Sequence, residues 1–267
     1  VFATAVIAFL FTKLGLVRTS TATTAVLFAT IVFLTGGVLG TFHHLYWTGT
    51  PTGVLALGAS FSALEVVPLV LIGFEAYENY KHSFAKPWVA TYRWPILFFV
   101  AVGFWNVVGA GLLGFTINPP ASLYFVQGLN LTAAHGHAAL FGVYGMLGIG
   151  LMLFCLRGLY PASRHAERLL APAFWGLNAG LAMMVFLSLL PAGIYQAVAS
   201  ITEGLWYARS PAVVHSTVME FLVWMRVPGD VVFALGVLFL VAYVIGLLGY
   251  RRKSARQSGL LQATKAA

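Results

Sequence analysis

The sequence predicts an all-α, polytopic transmembrane helix bundle, and three observations carry that prediction. Hydrophobic residues make up 60% of the 267 residues and charged residues only 8%, against about 25% charged residues in a soluble domain. Apolar stretches recur at lengths close to the roughly 20 residues that a helix needs to cross a bilayer. Basic residues gather in alternate connections between those stretches.

The elements follow in order. Val1–Thr12 is too short to span and reads as the second half of a helix. Ala22–Trp47, Gly53–Ala76, Trp94–Phe115, Thr132–Leu156, Leu169–Val198 and Asp230–Tyr250 are long enough, so about six full helices follow one partial helix. The chain opens at Val1, without Met and inside an apolar run, and this reads as a piece of a longer protein. Gly, Pro, Asn and Ser mark the connections at Thr48–Pro51, Asn118–Ser122 and Ser210–Pro211. No internal repeat and no soluble domain is visible. Residues 1–250 form one helical domain, and residues 251–267 a basic, polar tail expected to fray.

Charge placement orients the bundle. The face reached after Thr12 collects 13 of the 15 basic residues, and only Arg209 and Arg226 fall on the other. An excess of Lys and Arg marks the cytoplasmic side, so the tail is cytoplasmic. The net charge of +8 is thus a topology signal and not a nucleic-acid surface. The single Cys155 excludes an intrachain disulfide and any cysteine-cluster metal site, and its apolar surroundings predict an inert core thiol. The connection 199–229 faces outward and carries Glu203, Trp206, Tyr207, Arg209, His215, Glu220, Trp224 and Arg226. Its aromatics suit a membrane interface, and a short helix lying on the outer surface is expected there.

The chemistry sits on histidines in apolar segments. In His135-Gly136-His137 the two rings are two residues apart, about 200° around a helix. They point to opposite faces and can serve two separate groups. Ala133, Ala134, Gly136, Ala138, Ala139, Gly142, Gly145 and Gly148 surround them, small enough to let something flat and bulky approach. His43 and His44 are neighbours, about 100° apart, and can converge on one metal. A lone helical histidine is more often a packing residue. Four in two apolar segments point to metal or haem ligation, because polar groups at membrane depth are costly.

Glu65 lies mid-segment before Pro68, where a carboxylate must be paired, protonated or wetted. It reads as a proton carrier or metal-adjacent group, or as a structural hydrogen bond at a helix break. Asp230 opens the last helix, either as a plain N-terminal acid favoured by the helix dipole or as a polar contact for a ligand entering from the outer leaflet. His82 and His165 lie among loop cations and read as solvated; His215 sits in an apolar stretch of the outer connection with its role open. Tyr46, Trp47, Trp105, Asn106, Tyr124 and Gln127 can line a cofactor pocket, although aromatic belts explain several. Gly36, Gly37 and Gly40 mark close helix packing.

Gly40-Thr-Phe-His-His-Leu-Tyr-Trp47, followed by the His135/His137 helix, resembles the haem-copper oxidase superfamily. Ser62–Leu69, Phe104-Trp105-Asn106 with Gly109-Ala-Gly111, and His135–Gly145 resemble the respiratory nitric oxide reductases, from Val1 to about Tyr250. The resemblance implies that residues 1–250 are the C-terminal part of the catalytic helical domain. It places His43 and His44 on a non-haem iron, His135 on the high-spin haem b3 and His137 on a low-spin haem b. Glu65 matches a glutamate near the catalytic centre. Arg226-Val-Pro-Gly-Asp230 resembles the quinol-dependent branch, with Asp230 near the quinol.

The implied reaction converts two nitric oxide molecules to nitrous oxide and water, with electrons from quinol passing through the low-spin haem. The implied setting is a bacterial inner membrane, with a homodimer and a calcium ion as further partners. The third iron histidine, the other low-spin haem ligand and most of the quinol pocket belong to earlier helices of the same protein. The chain alone is therefore expected to show no complete two-haem spectrum. An oxygen reductase with copper at His43/His44, a cytochrome c donor in place of quinol, and a haem-free transporter or channel are the alternatives.

Overall fold

The computed structural model describes residues 2–13, 15–45, 48–64, 67, 70–71, 74–75, 77–78, 90–160 and 167–266. Glu65, Tyr46, Trp47, His82 and His165 lie outside the described residues, as does the side chain of His43.

Among the described residues every regular element is helical. Helix α1 (Phe2–Lys13) packs on α2 (Thr19–Gly40), which tightens into a 3₁₀ turn, Thr41–Leu45, and α2 packs on α3 (Thr52–Leu64). Among the described residues four helices are long and apolar enough to cross a membrane. They are α4 (Arg93–Ile117), α6 (Asn130–Leu159), α7 (Glu167–Thr202) and the last, Thr217–Leu247. The short α5 (Pro120–Val126) joins α4 to α6. Gly128, at φ 76°, makes the turn into α6 that a side chain with a Cβ would strain.

The outer connection is more broken than one short helix. It holds a 3₁₀ turn (Tyr207–Arg209), α8 (Pro211–Val214) and α9 (Thr217–Trp224) before α10 (Val227–Ala266). Ser216 caps α9 by accepting from Met219 N–H at 3.3 Å. The tail departs from expectation: α10 continues through Ala266, because residues 251–266 are rich in Arg, Lys, Ala, Leu and Gln, all good helix formers. Cys155 also departs from it. It is exposed on α6 and not in the core, since the buried face there runs through Gly150 and Leu153.

Three of the long helices change winding midway. Asn106–Leu113 in α4, His137–Gly145 in α6 and Met184–Leu189 in α7 are π-helical. Such wide turns are rare and cluster at functional sites. The first two pack against each other.

Small residues set the spacing, as helix contacts in lipid require. A Cβ on Gly180 of α7 would lie 2.5 Å from Phe233 N of α10, and one on Gly176 would lie 2.7 Å from Gly236 Cα. Gly176-Leu-Asn-Ala-Gly180 is a small-xxx-small face. Trp105 is 1% exposed and fills the notch at Gly142, where a Cβ would lie 2.5 Å from its Cγ. Its Nε1–H donates to Asn178 Oδ1 at 2.9 Å, tying α4 to α7. Large apolar side chains such as Leu140, Trp175 and Leu238 face outward, the low-energy arrangement in lipid.

The two ends of the bundle sort as the loop charges predict. Arg18 pairs with Glu75 at 2.7 Å, and Arg157 pairs with Glu167 and donates to Thr91 O, all at the basic end. Gln127, His44 and Arg209 meet at the opposite end.

Candidate functional site

The site is built on the N-terminal third of α6, and α6 is anchored from a distance. Gln196 of α7 is 7% exposed, and its Oε1 accepts from Asn130 N–H at 3.0 Å and from Asn130 Nδ2–H at 2.9 Å. This satisfies one of the free amide groups at the helix start. Gly193, one turn earlier, lets the Leu131 backbone approach α7. Neither residue stood out in the sequence, because their partners lie more than sixty positions away.

His135 lies in the last turn of the α-wound part of α6, Asn130–Gly136, and His137 opens the π-wound part. His135 Nδ1 lies 2.8 Å from Gly109 O of α4. A carbonyl only accepts, so Nδ1 carries the proton and Nε2 keeps its lone pair. Gly114 lies against the same ring, where a Cβ would sit 3.1 Å from His135 Cε1. The backbone of α4 therefore grips this imidazole on two sides.

His137 Nδ1 donates to Ala133 O of its own helix at 2.9 Å, which again leaves Nε2 as the ligand nitrogen. Here Nε2 accepts from Arg226 Nη2 at 3.2 Å, and Arg226 Nε donates to Asp230 Oδ1 at 3.2 Å. The two rings thus address different helices, α4 and the start of α10, as their spacing predicts. A backbone carbonyl on Nδ1 fixes a histidine's tautomer and orientation for metal binding. His135 Nε2 is thereby free to take a metal or haem iron, whereas His137 Nε2 could take one only on giving up Arg226.

The small residues around the pair are only partly open. A Cβ on Gly109 would lie 2.6 Å from the Ala138 carbonyl carbon, and Trp105 occupies the space at Gly142. The flat group nestled against this helix is a tryptophan of the chain itself. Trp105 thus fills the groove at Gly142, and the glycines there serve helix contact. Gly136 and Gly148 face open space.

His44 is exposed in the 3₁₀ turn, and its imidazole is near enough to His135 for their charges to interact. Gln127 Nε2–H reaches His44 O at 3.5 Å. Gln127 also lines a cavity of about 300 Å³ with Gly128, Leu205, Trp206 and Arg209. Asn106 is buried, Tyr124 is exposed, and His215 is exposed at the end of α8. Among the described residues no three His, Cys, Asp or Glu side chains converge as a metal site. Asp230 stands in the first turn of α10, as a helix-favouring acid would, with Arg226 as its ion-pair partner.

Comparison with known proteins bears on this geometry. The profile of a family described as cytochrome c and quinol oxidase polypeptide I matches residues 1–232. A nitric oxide reductase polypeptide of Stutzerimonas stutzeri is 31% identical over 233 residues, covering 81% of this chain and 44% of that protein. The chain spans less than half the length of that relative.

Proposed function

Because the chain belongs to the cytochrome c and quinol oxidase polypeptide I family of haem-copper oxidases, we propose that it is the C-terminal part of the catalytic polypeptide of a quinol-dependent nitric oxide reductase. Its reaction would be the two-electron reduction of two nitric oxide molecules to nitrous oxide and water. One observation supports this above the others: His135 and His137 leave one helix in two directions, each with Nδ1–H on a backbone carbonyl and Nε2 as the ligand nitrogen.

In this assignment His135 holds haem b3, His137 holds the low-spin haem b, and His43 with His44 holds the non-haem iron beside His135. When bound, the haems supply electron transfer and, with the iron, the place where the gas is reduced. The chain's own part is orientation. Gly109 and Gly114 fix the His135 ring, and Gln196 fixes the helix that carries both ligands, so the two sites keep a set separation. Glu65 would hold iron or deliver protons. Asp230 would offer a carboxylate to the quinol. Helices of the same protein outside these residues would supply the remaining ligands of the iron and of the low-spin haem. A bacterial inner membrane with a cytoplasmic C-terminus, a homodimer and a bound calcium complete the proposal, and the alternate basic loops support that orientation.

The oxygen-reductase reading is kept alive by the family description, which names oxidases. Metal analysis with a reduced-minus-oxidised spectrum of the intact protein separates the two. Three irons, two of them in b-type haem, and no copper are expected. Two haem irons and one copper would make it an oxygen reductase, and no haem would overturn both.

A further inference from the structure

We propose that Trp105 and Asn178 are a positioning pair for His135: through the seam between α4 and α6 they set the hydrogen bond from His135 Nδ1–H to Gly109 O. The inference rests on His135 being a haem ligand. Among the described residues no hydrogen bond reaches its Nε2, so that nitrogen can take iron. The two helices meet along one seam in opposite directions. A Cβ on Gly150 would press on Phe99, one on Gly142 on Trp105, one on Gly109 on Ala138, and one on Gly114 on His135. Each step along α4 is thus matched by a step back along α6. The wide turns lie inside this seam: Trp105 immediately precedes Asn106–Leu113, and Gly142 falls within His137–Gly145.

Trp105 is also held from outside the seam. Its ring is buried in the notch at Gly142, so it cannot slide along α6. Its Nε1–H donates to Asn178 Oδ1 of α7 at 2.9 Å, and Asn178 is fixed in turn by donating from Nδ2 to Phe174 O at 2.9 Å. At membrane depth an indole N–H has no water to turn to, so this acceptor holds it in one place. Gly109 follows Trp105 by four residues, about one turn. The indole therefore fixes α4 just where its wide turn begins. The contact beyond has little slack. His135 Nδ1 lies 2.8 Å from Gly109 O, at the short end for N–H···O, so a displacement of α4 lengthens it. A strong hydrogen bond from Nδ1–H makes the other ring nitrogen a better donor to iron, and a longer one makes it a poorer donor.

The test is resonance Raman spectroscopy of the iron–histidine stretch of the reduced high-spin haem in the intact enzyme. Trp105→Phe keeps a ring in the notch and removes the N–H. Asn178→Leu removes the acceptor and leaves the indole. Each is expected to lower the stretching frequency, and the double variant to lower it no further than the larger single effect. The low-spin haem band is expected to stay in place in all three. Lost stability with an unchanged frequency is the mark of a merely structural contact, and it overturns the proposal. Additive shifts, or a shift in only one of the two single variants, overturn it as well. If Trp105→Phe fails to retain haem, Asn178→Leu decides: a lower frequency supports the proposal, and an unchanged or higher one overturns it. An iron–histidine band that survives His135→Ala would instead overturn the ligand assignment itself.

Discussion

His135 and His44 stand near each other yet are held in different ways. His135 is clasped by another helix: a backbone acceptor at 2.8 Å and a glycine against the ring leave little freedom. His44 projects from a 3₁₀ turn, exposed, with Gln127 reaching its carbonyl at 3.5 Å. A ligand on a packed helix is preorganised by the fold. A ligand on a turn is placed by whatever else binds there, which for a metal means its remaining ligands. Among the described residues no three such ligands converge, so His135 and His44 should respond very differently to damage.

The largest contrast comes from removing ligands. His135→Ala in the intact enzyme is expected to abolish the high-spin haem signal and activity, with the protein still folded. His137→Ala is expected to remove the low-spin haem and spare the non-haem iron. His44→Ala is expected to lose that iron and leave both haem spectra in place; loss of a haem band in His44→Ala would erase the distinction. Iron analysis and the optical spectrum read all three.

Packing around His135 comes next. Gly109→Val would force its side chain into the Ala138 backbone, and thermal unfolding should show a loss of about 1–3 kcal/mol or more, typical of overpacking. Haem b3 should weaken with it. Unchanged stability would mean that α4 does not grip this ring.

Gln196→Ala removes two hydrogen bonds at the start of α6, and a loss of about 1–2 kcal/mol is expected. Both haem spectra should broaden together, because both ligands ride on that helix. The smallest effect belongs to the turn: Gln127→Ala should cost under about 1 kcal/mol and lower iron occupancy only. Glu65→Gln, on the proposed proton route, should slow turnover and leave haem content alone, which single-turnover kinetics with a haem assay checks.

What the sequence made legible follows the same division. Four spans, the alternating loop charge and both histidine pairs rest on runs and spacings within twenty residues or so, and these can be read directly. The Gly176–Gly180 face went unread, because what makes it a contact is its partner Gly236 on another helix. Gln196 on Asn130 and Arg226 on His137 join positions 66 and 89 apart. Only the arrangement of helices brings them together. The seat of Trp105 against Gly142 was equally hidden, because the two lie on different helices. Cys155 was misjudged because an apolar sequence cannot distinguish a face toward protein from a face toward lipid.

The wide winding at Asn106–Leu113 carries a consequence for how such chains change over time. Each π turn closes on the fifth residue where an α turn closes on the fourth, so it holds one residue more. Deleting a single residue within that stretch would leave an unbroken helix, with no loop needed to absorb the gap. The stretch would close into ordinary α turns, and the helix beyond it, Gly114 included, would keep roughly its place. What would change is the wide turn itself, which carries the Gly109 carbonyl on which the His135 ring rests.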